Sequence, residues 1–231
     1  MLLRPPTAGP QPECHGPSDA RLVGPASVLF LRVETGAESH WMQALPLSKT
    51  QLEWYAATTG ALGNAWYLET QLLPAEGTGI PWRASPDRFG LDDYEGLFAG
   101  GLLWEDTDRL GRWLGARVPT MSWWEQAHAQ LGSLAFDADR LQQLPDCQDR
   151  RILERLAQCV RPSTWAQACL MDGGMLEWVS VETWRGAAGR LIGNPRQALY
   201  PCAFNPVSRP IQPVAGTRIR AAGVRFVLTD G

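Results

Sequence analysis

The sequence predicts a loop-rich α+β domain with two or three helices and short antiparallel strands. Helical patterns cluster between residues 48 and 160, whereas short apolar runs between turns follow residue 169, an order that suits α+β architecture. The chain holds 23 Gly and 18 Pro, above average usage, so much of it runs in turns and irregular segments. It also holds 11 Trp against 4 Tyr and 6 Phe, and large aromatics can pin long loops to a core.

The first 22 residues are Pro-rich and polar and read as a flexible leader to a domain over 23–231. Residues 26–34, rich in β-branched and aromatic side chains, read as a strand. Ser48 and Gln51 fit a capping box, so a helix starts there, buries Leu52, Tyr55 and Ala56, and stops at Gly60. Residues 61–100 lack a sustained period and read as a long loop. A second helix follows over 104–115, with Asp106 as its N-cap and Leu110, Trp113 and Leu114 at helical spacing. The third spans about 121–132, with Ser122 and Glu125 as a capping box. Residues 137–160 are charged and helical, broken at Pro145, with Ile152, Leu153, Leu156 and Val160 on one stripe. Residues 176–184, 190–193 and 223–228 read as short strands, and 194–222 as an irregular connection.

Composition narrows the function classes. Lys plus Arg at 21 nearly balance Asp plus Glu at 24, for a net charge of −3, so no nucleic-acid partner is expected. No run of 18 apolar residues occurs, and the N-terminus lacks a secretory apolar core; neither a membrane partner nor export is expected, and the chain reads as cytoplasmic. The five cysteines, Cys14, Cys147, Cys159, Cys169 and Cys202, form no C-x-x-C, and the three histidines form no local metal box.

Residues 104–127, WEDTDRLGRWLGARVPTMSWWEQA, are specific. They resemble the S-W-x-D-A and W-L-G-x-R-L-P-T-E-A-E-W-E-x-A runs of the formylglycine-generating-enzyme-like family, also called the sulfatase-modifying-factor domain. Trp104, Asp106, Trp113, Arg117, Pro119, Thr120, Trp124 and Glu125 stand in register. Three further blocks agree in order: PLSKTQLEWYAA (46–57), MDGGMLEWVS (171–180, with Glu177 and Trp178) and GVRFVL (223–228, with Gly223 and Arg225). The resemblance implies a C-type-lectin-like fold in which most matched residues are scaffold. Arg117 and Glu125 are expected to form a buried pair.

Active members of that family bind copper(I) through two cysteines five residues apart, a ligand pair that suits a soft cation. Cys202 stands roughly where the second would fall, but Gln197 stands five residues earlier and cannot replace a thiolate. Copper is therefore not expected. The Asn associated with calcium in the family is Gly174 here, so a structural calcium site would have one oxygen donor fewer. These departures point to a non-catalytic domain that binds a peptide or protein partner, and the resemblance to short members of the family implies that it serves as an accessory component of a larger bacterial system. The alternative is an atypical copper- or iron-dependent oxidoreductase acting on a thiol or peptide, with Cys202 as its candidate metal ligand. For binding, Arg209, Arg218, Arg220 and Arg225 could line one surface for an acidic partner, and one of the adjacent Trp123 and Trp124 is expected in the core while the other, Trp123, is an exposed anchor.

Overall fold

The strand expected over 26–34 forms as β2 (Val28–Thr35), and its alternation organises the molecule. Leu29, Leu31 and Val33 enter one hydrophobic core and Val28 and Phe30 another, because successive side chains leave opposite faces of a strand. A computed structural model of the chain describes residues 17, 19–35, 38–60, 98–172, 175–193, 212–216, 218–219 and 222–228. Within them the architecture is α+β. One antiparallel sheet has the order β1 (Ala20–Val23), β2, β3 (Glu38–Gln43), β7 (Val227–Leu228). The other has the order β5 (Gly186–Ile192), β4 (Leu176–Thr183), β6 (Ala222–Gly223), with β4 and β6 parallel. The helices are α1 (Lys49–Thr59), α2 (Trp104–Leu114), α3 (Met121–Ser133), α4 (Gln148–Val160) and the single turn α5 (Trp165–Ala168). A 3-10 turn, Ala138–Gln143, precedes Pro145 and α4.

The start of α1 follows its local chemistry. Ser48 accepts the Gln51 N–H, the Gln51 side chain accepts the Ser48 N–H, and Gly60 closes the helix in the left-handed region at φ 71°. Elsewhere the caps differ from expectation. Asp106 is the third residue of α2 rather than its N-cap; its carboxylate reaches back to the Leu103 N–H at 2.9 Å. Thr120, not Ser122, caps α3, since its hydroxyl accepts the Trp123 N–H and Glu125 takes no part. Residues 20–22 belong to the sheet rather than to a leader: β1 pairs with β2, and the Arg21 guanidinium lies 4.2 Å over the Trp41 ring. The closing run 223–228 is not one strand. It leaves the second sheet after Gly223 and enters the first at Val227.

At that crossing sits Arg225, which is wholly buried rather than on an arginine-lined surface. All five of its N–H donors are used. Nε and one Nη2 hydrogen meet the two Glu177 oxygens at 2.9 and 2.8 Å, while the others meet the carbonyls of Gln43, Ala44 and Cys169. Glu177 also accepts the indole N–H of Trp124 at 2.9 Å. This replaces the expected pair of Arg117 and Glu125: Arg117 is exposed over the Trp123 ring, and Glu125 is half-buried without an ion pair to it.

A second buried acid, Asp149, ties α4 to β2 and α1. Its carboxylate accepts the Leu29 N–H at 2.8 Å and the Gln51 side-chain amide at 3.0 and 3.1 Å. Burial lifts its pKa to about 6, although both hydrogen bonds favour the ionised form.

Glu177→Ala would leave the Arg225 guanidinium buried without its counter-charge. We expect a loss of about 3–5 kcal/mol in urea denaturation, and less for Glu177→Gln, which keeps an acceptor. Equal, small losses in the two variants would contradict this account. For Asp149, the folded pKa lies above the unfolded value near 3.8, so the folded protein holds the proton more tightly. That contribution to stability is full below about pH 4 and is lost as pH rises through about 6. Wild-type stability should thus fall by on the order of 2–3 kcal/mol over this interval relative to the Asp149→Asn variant. A wild-type-to-variant difference that stays constant with pH would exclude the assignment.

Candidate functional site

One face of α2 from Trp104 to Gly111, the connector 116–120, the start of α3 and the β4–β5 hairpin enclose a cleft of about 480 Å³. Each wall has a local cause. Trp104, in the first turn of α2, lies flat on Gly189 of β5, where a Cβ would come within 2.5 Å of the indole. The ring also packs 5.9 Å from that of Trp178, whose N–H donates to the Leu102 carbonyl at 2.8 Å. Gly111 lets α2 pass close to the connector, since a Cβ there would stand 2.9 Å from the Ala116 carbonyl oxygen.

The connector is held from both sides. Arg117 exchanges two backbone hydrogen bonds with Val227 at 3.0 and 2.8 Å, an isolated antiparallel bridge to the first sheet. The Pro119 carbonyl accepts the Ser180 N–H at 2.8 Å, and Thr120 pairs in parallel with Ser180 of the second sheet. Trp123 is flanked by the His40 ring, 4.2 Å away, and by the Arg117 guanidinium at 4.5 Å. It therefore lines the cleft as a held wall and is not the exposed anchor expected of it, while Trp124 is wholly buried.

Charge is unevenly distributed in the cleft. Asp108 forms an exposed i,i+4 pair with Arg112. Neither the Arg117 guanidinium nor the Glu182 carboxylate has an ion pair or side-chain hydrogen bond among the described residues. The Ser180 hydroxyl is likewise unclaimed.

Arg218 does not present itself to solvent: its Nη1 donates to the Gly101 carbonyl at 2.7 Å and to Asp106 at 2.9 Å. With Arg225 also inside, two of the four arginines expected on one surface are committed to the fold. Arg209 and Arg220 lie outside the described residues, as do Cys202, Gly174 and residues 61–97 of the stretch expected as a loop over 61–100. Trp113 packs edge-on to Tyr55, and its N–H donates to the Thr58 hydroxyl at 3.1 Å. Gly223 lies against Met175 and the Ala99 carbonyl, with no room for a larger residue without adjustment.

Cys147 and Cys169 are buried free thiols. Burial pushes the Cys169 pKa up to about 12 and also raises that of Cys147, so neither is primed as a thiolate. Among the described residues no group of three or more His, Cys, Asp or Glu is placed to hold a metal ion, and no helix is long and apolar enough to cross a membrane. Sequence reasoning passed over one arrangement. His128 Nε2 lies 2.7 Å from Asp172, and its ring stacks 5.3 Å from Trp124, one helical turn earlier. The i,i+4 spacing of Trp124 and His128 was the available signal. The pair meets no hydroxyl or thiol nucleophile among the described residues. Comparison of the chain with protein-family models, curated proteins and solved structures finds no match.

The contact between Trp104 and Gly189 defines the cleft wall. Gly189→Ala should displace the indole at a cost of about 1–3 kcal/mol. Trp104→Leu in the same chain should recover part of that cost in a double-mutant cycle. Additive losses would show that the two residues do not constrain each other.

Proposed function

We propose that the chain is a formylglycine-generating-enzyme-like domain of C-type-lectin-like fold that has lost catalysis and binds a peptide or protein partner in the Trp104–Trp123 cleft. The observation that carries this reading is the cleft itself. It is a concave site of ligand size whose walls are tied to both sheets, with polar groups inside it that no described residue claims. The four blocks that resemble the family also contribute to its frame. Residues 104–127 supply α2, the connector and the start of α3; residues 171–180 supply most of the inner strand β4. Residues 223–228 supply the crossing to which the connector is bridged, and 46–57 supply α1 as far as Ala57. The non-catalytic assignment rests on Gln197, which stands where copper chemistry would need a thiolate. As an accessory component of a larger bacterial system, the domain would work in the cytoplasm, where its thiols stay reduced.

Two measurements test this. Given copper(I), oxygen and a cysteine-containing peptide, the purified chain should leave the peptide unoxidised; stoichiometric copper uptake with aldehyde formation by mass spectrometry would establish an enzyme instead. A photo-crosslinking residue placed at Asp108, on the exposed rim, should trap one discrete protein adduct in the producing cell. Ala187→Trp, which fills the cleft from β5, should abolish that adduct. An adduct indifferent to this substitution would place the interaction elsewhere.

A further inference from the structure

Taking the cleft as the partner site, we infer that it is polarised and that its Arg117 end receives a carboxylate, the side chain of an Asp or Glu in the bound segment. Arg117 is the residue best prepared for this. Its backbone is fixed by two hydrogen bonds to Val227, and its guanidinium is held 4.5 Å over Trp123. Stacking uses the face of a guanidinium and leaves its in-plane N–H donors available, the geometry that pairs with a carboxylate. No acidic group of the described residues occupies them.

Further donors stand beside it. The Ser180 hydroxyl is unclaimed among the described residues, and Ser180 is in register with Thr120 at the start of α3. At the start of that helix the Thr120 cap meets the N–H groups of Trp123 and Trp124, and the parallel bridge turns the Met121 N–H to the Ser180 carbonyl, so among the first-turn donors only the Ser122 N–H has no acceptor among the described residues.

The acidic groups of the cleft decide the orientation. The charge of Asp108 is met by Arg112. Glu182 lies on the same face of β4 as Ser180 but one pleat nearer the hairpin tip, about 6–7 Å along the strand. A carboxylate at that end would meet a like charge. An acidic side chain is therefore excluded from the Glu182 end and favoured at the Arg117 end. A phosphate, with nearly twice the charge, would feel the same repulsion more strongly.

The test uses the full chain and acetylated, amidated Gly-Ser-X-Ser-Gly peptides in which X is Glu, Gln, Lys or phosphoserine. The readout is the indole N–H resonances of Trp104 and Trp123. The Glu peptide should shift both saturably and bind about tenfold more tightly than the Gln or Lys peptide. Arg117→Gln should remove the preference. Since this side chain is exposed, the variant should fold, which the remaining indole resonances report. Glu182→Gln should tighten the Glu peptide severalfold, an effect that a merely structural Arg117 would not produce. Equal binding of the Glu and Gln peptides, a preference for Lys or phosphoserine, or indifference to Glu182→Gln would overturn the inference. The Asp108 crosslink separates the two ideas. If it forms and survives Arg117→Gln, the carboxylate assignment falls and the partner cleft stands; if it is missing while the Glu peptide binds as expected, the partner reading falls.

Discussion

The structure depends on the closure of five hydrogen bonds around the Arg225 guanidinium. A buried charge is costly, and the cost is met only when counter-charge and donors are fully matched. Glu177 supplies the counter-charge from β4 of the second sheet. Gln43 and Ala44 supply carbonyls from the end of β3 in the first sheet, and Cys169 supplies one from the turn after α5. One side chain thus joins both sheets and the helical layer at the point where the chain crosses between them. The Trp124 indole completes the arrangement on the Glu177 side, so α3 is tied to the same centre.

Around this polar centre the apolar residues divide into two cores, and the division follows strand alternation. In β4, Val179 joins the core of Leu29 and Leu31, while Leu176 and Trp178 join that of Phe30 and Leu52. Trp104 and Trp123 pack against opposite clusters as partly buried neighbours, and the cleft lies between them. Its walls are large aromatics that the cores bury on one side. The tryptophan excess is therefore mainly scaffold, and two of its members double as the lining of a site.

Much of this was legible locally. The capping box of Ser48 and Gln51, the stop at Gly60, the buried Leu52, Tyr55 and Ala56, and the alternation of β2 all depend on neighbours within a few residues. What the sequence concealed depends on distant partners. Asp106 has the right chemistry for an N-cap, yet it also accepts a hydrogen bond from Arg218, and this favours its place in the first turn over one outside the helix. Residues 20–22 look like leader because a strand of only four residues, Ala20–Val23, carries little signal by itself; its order comes from pairing with β2 and from Arg21 over Trp41. Asp149 looks like one more acid on a solvated helix face, and only its meeting with Leu29 and Gln51 makes it structural.

The two arginines whose roles were exchanged show why the site and the core are one mechanical unit. Arg117 and Arg225 both stand in motifs that resemble the same family, and charge alone does not say which one is buried. The antiparallel bridge from Arg117 to Val227 does. Val227 lies two residues after Arg225, so once Arg225 is locked between the sheets, the position of Val227 is set. Two hydrogen bonds then set the backbone of Arg117, and from there its exposed side chain runs across Trp123. The cleft residue with the most open hydrogen-bonding capacity is therefore aimed by the most saturated residue of the core. The position of Arg117 owes little to its own exposed side chain. It follows from a buried ion pair on the other side of a two-residue step, which is why a substitution at Glu177 would be felt in the cleft as well as in the core.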